Sequence, residues 1–227
     1  MNIAFLIAAL LAGSAQQGIE PTAKAFVFDE KNSLFDFQYA WPAEAATVPQ
    51  LAKHLRMNME KERTEFIALA ERDRGNPDSL GYSYSTDYIT SGQSVRLLSL
   101  RIDYVYRPGS LRENWGSGIL LWDRLTATEI EVADLFMKTS DMSDHLTRRW
   151  CTALINGEDF EDCPRLDWLT IIPTDKNGNG RFETLTLVAP ADIIPYAHSE
   201  VELAVTADLI AALKSDYRAS FEIGQPQ

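Results

Sequence analysis

The hydropathy pattern is sharpest between Ser94 and Phe136. Leu98, Leu100, Ile102, Tyr104 and Tyr106 alternate with Ser99, Arg101, Asp103 and Val105, and a period of two predicts a strand with one buried and one mostly solvated face. Arg107-Pro108-Gly109-Ser110 is expected to break this run as a turn, since proline fixes φ and glycine tolerates positive φ. Gly118 to Trp122 then reads as a returning strand, Asp123 to Thr126 as a second turn, and Ala133 to Phe136 as the approach to a helix.

Upstream, Ala25–Phe28 and Leu34–Tyr39 read as two strands, ended by Trp41-Pro42. Thr47 is expected to cap a long helix, with Pro49 in its first turn and Gln50 completing a capping box. Leu51, Leu55, Met59, Phe66 and Ala70 follow at helical spacing, which makes a core-facing stripe, and Gly75-Asn76-Pro77 stops the helix. Tyr82, Tyr84 and Tyr88 suggest another strand, with Ser91-Gly92-Gln93 as the hairpin turn into the central one. Farther on, Ser143 is expected to cap a second helix striped by Leu146, Trp150, Ala153 and Leu154 and closed by Gly157. Trp168–Pro173 is a short apolar run, Phe182–Val188 reads as an alternating strand and Val201–Val205 as another, and Thr206 as the cap of a terminal helix through Leu209 and Leu213. The expected class is α+β: antiparallel sheet packed with one long N-terminal helix, a second central helix and a short C-terminal helix. We expect a signal peptide at 1–15, a strand–helix part at 16–90 and a sheet–helix part at 91–227, packed as one unit.

Composition narrows the choice of partner. The net charge of −12 over 227 residues argues against nucleic acid and against an anionic membrane surface, both of which call for a basic footprint. It suits a basic partner, whose approach it would steer. Ile3 to Ala12 is an apolar run too short to span a bilayer but suited to a signal peptide, with Gly13-Ser14-Ala15 as small residues for cleavage. We therefore expect a periplasmic or secreted protein with no membrane span in the mature chain. Two cysteines, Cys151 and Cys163, stand twelve positions apart. In an exported protein an even pair reads as a disulfide, stabilising by roughly 3 kcal/mol for so short a loop.

Candidate chemistry is sparse. Asp175, Asn177, Asn179 and Glu183 match the first part of a calcium loop, with Gly180 for the sharp turn. The twelfth position is Thr186, where a bidentate carboxylate belongs, so we read the stretch as a turn in preference to an ion site and expect no cofactor. His54, His145 and His198 have no metal-ligand spacing, and with 33 acidic residues no carboxylate pair stands out. The connection Arg107–Trp115 differs in kind. It gathers Tyr106, Arg107, Arg112 and Trp115, residue types that dominate interface hot spots. A tryptophan packed back onto the sheet fits the same pattern equally well.

The order of the pieces resembles a bacterial extracytoplasmic domain pair of unknown function. It is the pair found in the anti-sigma factor RsiV and N-terminal to the deacetylase domain of PdaC. The likeness is carried by Phe37–Pro42 before the long helix, Leu98-Ser99-Leu100, Leu121-Trp122-Asp123, Asp134-Leu135-Phe136, Cys151 to Cys163-Pro164, and Pro195-Tyr196-Ala197. It runs from about Phe35 to Phe221. The family's Gly-Gly-Ala-His tip is absent, since Tyr106–Ser110 stands there instead, and His198-Ser199-Glu200 replaces a glycine-rich stretch. The resemblance implies an α+β fold, an extracytoplasmic place and, through RsiV, lysozyme binding. We therefore expect a soluble exported binding domain, not an enzyme, that recognises a protein or peptidoglycan ligand. The alternative is a peptidoglycan-modifying envelope enzyme or an accessory to one.

Overall fold

A computed structural model describes residues 24–75, 81–109, 113–155, 165–190 and 200–225. β1 (Phe26–Lys31) and β2 (Phe35–Trp41) form an antiparallel hairpin. Asn32 Oδ1 closes it by accepting from the Leu34 and Phe35 amides at 2.8 and 3.0 Å. A single turn, α1 (Ala43–Ala46), precedes α2 (Pro49–Arg72). The expected Thr47 cap does not form: Val48 is the N-cap and makes no side-chain cap bond. The Thr47 hydroxyl donates at 2.6 Å to the Glu44 carbonyl of α1, so it is committed to the turn before. The stripe is as the spacing predicts, with Leu51, Leu55, Met59, Phe66 and Ala70 all buried. Its one gap is filled by Glu62, whose carboxylate accepts from the Tyr84 hydroxyl.

α2 carries the chain back so that β3 (Tyr82–Gln93) lies parallel to β2, the arrangement for which a helical crossover is needed. β4 (Leu97–Pro108), β5 (Asn114–Asp123) and β6 (Thr128–Ile130) follow as an antiparallel meander, completing a six-stranded sheet in sequence order. Ser91-Gly92-Gln93 is not the hairpin turn. It lies inside β3, at a register shift between Thr90 and Gly92, and the turn is made by Ser94, whose Oγ accepts from the Leu97 amide at 2.9 Å. Gly92 is needed for close approach instead, because a Cβ there would fall 2.6 Å from the Asp175 amide nitrogen.

After a 3₁₀ turn at Val132–Leu135 comes α3 (Thr139–Ile155), which begins before Ser143 and not at it. Ala153 is exposed and Cys151 takes its place in the core beside Leu146 and Trp150. The side chain of Leu154 and residue Gly157 lie outside the described residues. β7 (Thr170–Thr174), β8 (Thr184–Val188) and β9 (Glu200–Ala204) make a second, antiparallel sheet. Every residue of β8 is buried, where alternation had suggested one wet face. α4 (Ala207–Ala212) is capped as expected, Thr206 Oγ1 accepting from the Leu209 amide at 3.3 Å, and a further turn, α5 (Ser215–Arg218), follows it.

The fold is thus α+β, and its two cores lie on opposite faces of the large sheet. Phe35, Phe37, Tyr39, Trp41, Tyr88, Leu98, Leu100, Leu120 and Trp122 meet α2 on one face. Leu97 and Leu121 on the other join the second sheet and α3, α4 and α5. Among the described residues no helix is long and apolar enough to cross a membrane. Asp123, wholly buried, ties the second core together. It accepts from Arg96 Nε and Nη2 at 3.0 and 2.8 Å, from the Tyr217 hydroxyl at 3.2 Å and from the Leu125 amide at 2.9 Å. Burial alone would raise its carboxyl, but Arg96 and the turn amides outweigh this and hold it below the usual range.

Removing the charge leaves Arg96 without its partner, so Asp123→Asn should lower the unfolding free energy by about 3 kcal/mol at neutral pH, read by urea denaturation. A carboxylate with a lowered folded pKa stabilises above its unfolded value, about pH 4, and that contribution is lost as pH falls through the folded value. The difference between parent and variant should therefore shrink in acid.

Candidate functional site

Four residues were expected to share an exposed tip, and the strands redistribute them. β4 continues through Pro108 and β5 begins at Asn114, so Arg107 and Trp115 belong to the ladder and not to the connection. The hairpin is longer than the Arg107-Pro108-Gly109-Ser110 signal suggested because Tyr82 and Ser83 of β3 still pair with Pro108 and Arg107. Arg112 lies outside the described residues. Tyr106 turns towards α2, its ring edge-on to Phe66 and Tyr84 at 6.2 Å. Arg107 and Trp115 stand on the opposite side, as the alternation requires.

Among the described residues, that opposite side is open along half of the sheet. The register aligns Asp29, Gln38, Ser85, Val105 and Trp115 in one row across five strands, and Val27, Ala40, Asp87, Asp103 and Ser117 in the next. Val105 is exposed and Trp115 half-buried. Around them run polar contacts. Arg101 Nε meets Asp103 Oδ1 at 2.8 Å, Ser117 Oγ donates to the same oxygen at 2.6 Å, and Arg101 reaches Glu200 of the second sheet at 2.9 Å. Arg107 faces Glu113 at 3.6 Å. Asp87 lies directly across from Asp103, and desolvation followed by that neighbouring charge raises its carboxyl above the ordinary value. The result is a platform with an aromatic and a valine towards its β5 edge and carboxylates, serines and arginines around them. Such a surface can stack on and hydrogen-bond to an extended ligand. The sequence signal for it was Ser83, Ser85 and Asp87, the polar partners of the tyrosines in β3.

The other sequence candidates lie elsewhere. Asp175, Asn177, Asn179 and Glu183 come together at the loop joining β7 to β8, apart from the platform. Cys151 is buried on α3, and Cys163 lies outside the described residues.

No family model and no curated protein matches the chain. Among solved structures, a DUF3298 family protein from Pseudomonas aeruginosa PAO1 superposes with a TM-score of 0.56 at 15% identity, covering 92% of this chain and 100% of that one. The chain shares that fold. A member of the same family from Bacteroides fragilis NCTC 9343 gives a TM-score of 0.50 at 16% identity, over 86% of this chain and 94% of that one.

The two faces of the hairpin should respond differently to substitution. Tyr106→Ala removes two aromatic contacts from the α2 core and should cost about 2 kcal/mol. Val105→Ala, on the open face, should stay within about 0.5 kcal/mol of the parent in the same denaturation experiment.

Proposed function

We propose that the protein is an exported binding domain that recognises a protein or peptidoglycan ligand through the open face of its large sheet. The observation that supports this most is Val105, exposed on β4, with half-exposed Trp115 across from it on β5 and Arg107 on the same side. Large apolar and guanidinium groups held on a rigid strand make good anchors, because little conformational entropy is lost when they are covered. The acidic chain favours a basic partner, and the resemblance to the RsiV and PdaC domain pair makes lysozyme the first protein to try. An exported place rests on the apolar segment at Ile3–Ala12.

Trp115→Ala with Arg107→Ala should leave the melting temperature within about 5 °C of the parent. It should weaken binding to lysozyme or to purified peptidoglycan by about 2 kcal/mol, roughly 30-fold. Lysozyme binding should also fade as salt rises from 50 to about 300 mM, through loss of steering. A double variant that binds as the parent does would remove the face from consideration.

The second reading, action on peptidoglycan, draws on Asp87 and Asp103. Two carboxylates in register, one of them raised, resemble an acid–base pair. Release of soluble fragments from peptidoglycan by the parent and not by Asp87→Asn would favour it over simple binding.

Export also pairs Cys151 with Cys163. The intact mass of native protein should rise by about 2 Da on reduction, one hydrogen per thiol. Two alkylatable thiols in unreduced periplasmic material would contradict both the bridge and the export.

A further inference from the structure

The turn that joins β7 to β8 is built from two asparagine–glycine pairs, Asn177-Gly178 and Asn179-Gly180. Both glycines have positive φ, +70° and +83°, where any side chain is strained. Asparagine before each closes a local turn with its side-chain oxygen. Asn177 Oδ1 accepts from the Asn179 amide at 2.9 Å, and Asn179 Oδ1 from the Arg181 amide at 3.0 Å. The same dipeptide is chemically fragile, because glycine leaves its own amide nitrogen unhindered for attack on the preceding carboxamide. In that reaction the amide gives its proton to water, a bond forms from its nitrogen to Cγ, the Cγ–Nδ2 bond breaks and ammonia leaves. Water then opens the cyclic imide to aspartate, or to isoaspartate with one more carbon in the backbone. Asn177, Gly178 and Asn179 are exposed, so access of water does not limit it here.

Each group that this reaction needs is restrained. The Gly178 and Gly180 amides donate to Asp175, to Oδ1 at 2.8 Å and to Oδ2 at 2.9 Å. A carboxylate that holds an N–H opposes loss of its proton, since the resulting anion would stand beside a negative charge. The leaving nitrogens are held as well: Asn177 Nδ2 and Asn179 Nδ2 both donate to Glu222 Oε1, at 2.9 and 2.7 Å. Glu222 is itself fixed through the backbone, because the segment after α5 runs back along the turn. The Phe182 amide donates to the Ser220 carbonyl at 2.9 Å, the Glu222 amide to the Phe182 carbonyl at 3.1 Å and the Gly224 amide to the Val205 carbonyl at 2.9 Å. A Cβ on residue 224 would lie 2.1 Å from the Glu183 carbonyl oxygen, so the approach demands glycine. The hydrogen bonds from Asn177 and then Asn179 hold the Glu222 carboxyl below its ordinary value, and it stays ionised at neutral pH.

We infer that Asn177 and Asn179 are deamidation sites held in check by Glu222, so that the segment after α5 guards the β7–β8 turn against its own chemistry. Glycine is demanded by the backbone and asparagine by the turn, so the fragile pairs come with the fold. Protection has to arrive from elsewhere in the chain, and Glu222 brings it from more than forty residues away. The process also runs one way. Conversion of either asparagine replaces its donating nitrogen by a carboxylate oxygen facing Glu222, and like charges at that distance repel. Each conversion therefore loosens the contact that had restrained the next, and weakens the hold of the turn on the segment after α5.

The turn lies apart from the open sheet face, so the test is independent of ligand binding, and it uses the whole chain. Folded parent, and the same chain unfolded in guanidinium chloride, are incubated at mildly alkaline pH. Peptide mapping then reads a mass gain of about 1 Da and isoaspartate at residues 177 and 179. The folded parent should convert roughly tenfold more slowly than the unfolded chain, and Glu222→Ala should restore about tenfold of that rate at both sites. Where Glu222→Ala does not fold, Glu222→Gln is read in its place. Its amide oxygen still accepts from one asparagine, and it should convert about threefold faster than the parent. Tyr106→Ala, which weakens the other core, should convert at the parent's rate, and this separates a local guard from loss of global stability. A folded parent as fast as the unfolded chain, a folded Glu222 variant no faster than the parent, or equal acceleration in Tyr106→Ala overturns the inference.

Discussion

A strand can turn only every second side chain to one side, and this protein uses both sides of the same strands for different purposes. Leu97 belongs to the core beneath the second sheet, and Leu98, the next residue, to the core under α2. Leu121 and Trp122 divide in the same way on β5. A slip of one residue would therefore exchange two cores at once, and nothing in either would fit. Asp123 and Arg96 make the slip still costlier, because their buried pair forms in one register only. With the register fixed there, the far end of the same hairpin has its faces settled too. Tyr106 must go to α2, and Arg107 and Trp115 to the open side.

The parts legible in the sequence were those governed by neighbours in sequence. The stripe from Leu51 to Ala70 and the Thr206 cap depend on spacings of three to four residues, and each appears where expected. The period of two along Leu98–Tyr106 sets which way β4 side chains face, but Ser99 is buried and Tyr104 exposed, because the second sheet covers one end of the strand and α2 leaves the other uncovered. The misreadings share a different cause. Ser91-Gly92-Gln93 has turn chemistry, but Gly92 answers to Asp175, more than eighty residues away. Thr47 is a good cap whose hydroxyl was already occupied by Glu44. Trp115 looked like part of a connection because the turn signal at Arg107–Ser110 precedes it and the alternation resumes only at Gly118, yet Val105 pairs with it across the ladder. The loop joining β7 to β8 was half legible: its turn chemistry is local, whereas Glu222, which accepts from Asn177 and Asn179, arrives from another segment and leaves no mark on the loop.

The fold shared with the DUF3298 proteins at 15 and 16% identity illustrates how little of such an architecture is written in particular residues. A period of two in the strands, a period near 3.6 in α2 and sufficient aromatic volume between them are satisfied by many sequences. Surface residues are freer still. The open face is therefore where this chain's own properties reside.

The absence of a side chain at residue 92 has a consequence for how the molecule bears strain. β3 runs unbroken in sequence from Ser83 and Asp87, on the open face, to Gly92, where the Ser91 carbonyl accepts from the Asp175 amide at 3.0 Å. The strand thus works as a strut, with one end in the platform and the other braced against the loop of the smaller sheet. A methyl group at residue 92 would be a wedge under that brace, felt first by Asp175 and Phe182, and the smallest tilt it forced would be transmitted along the strut.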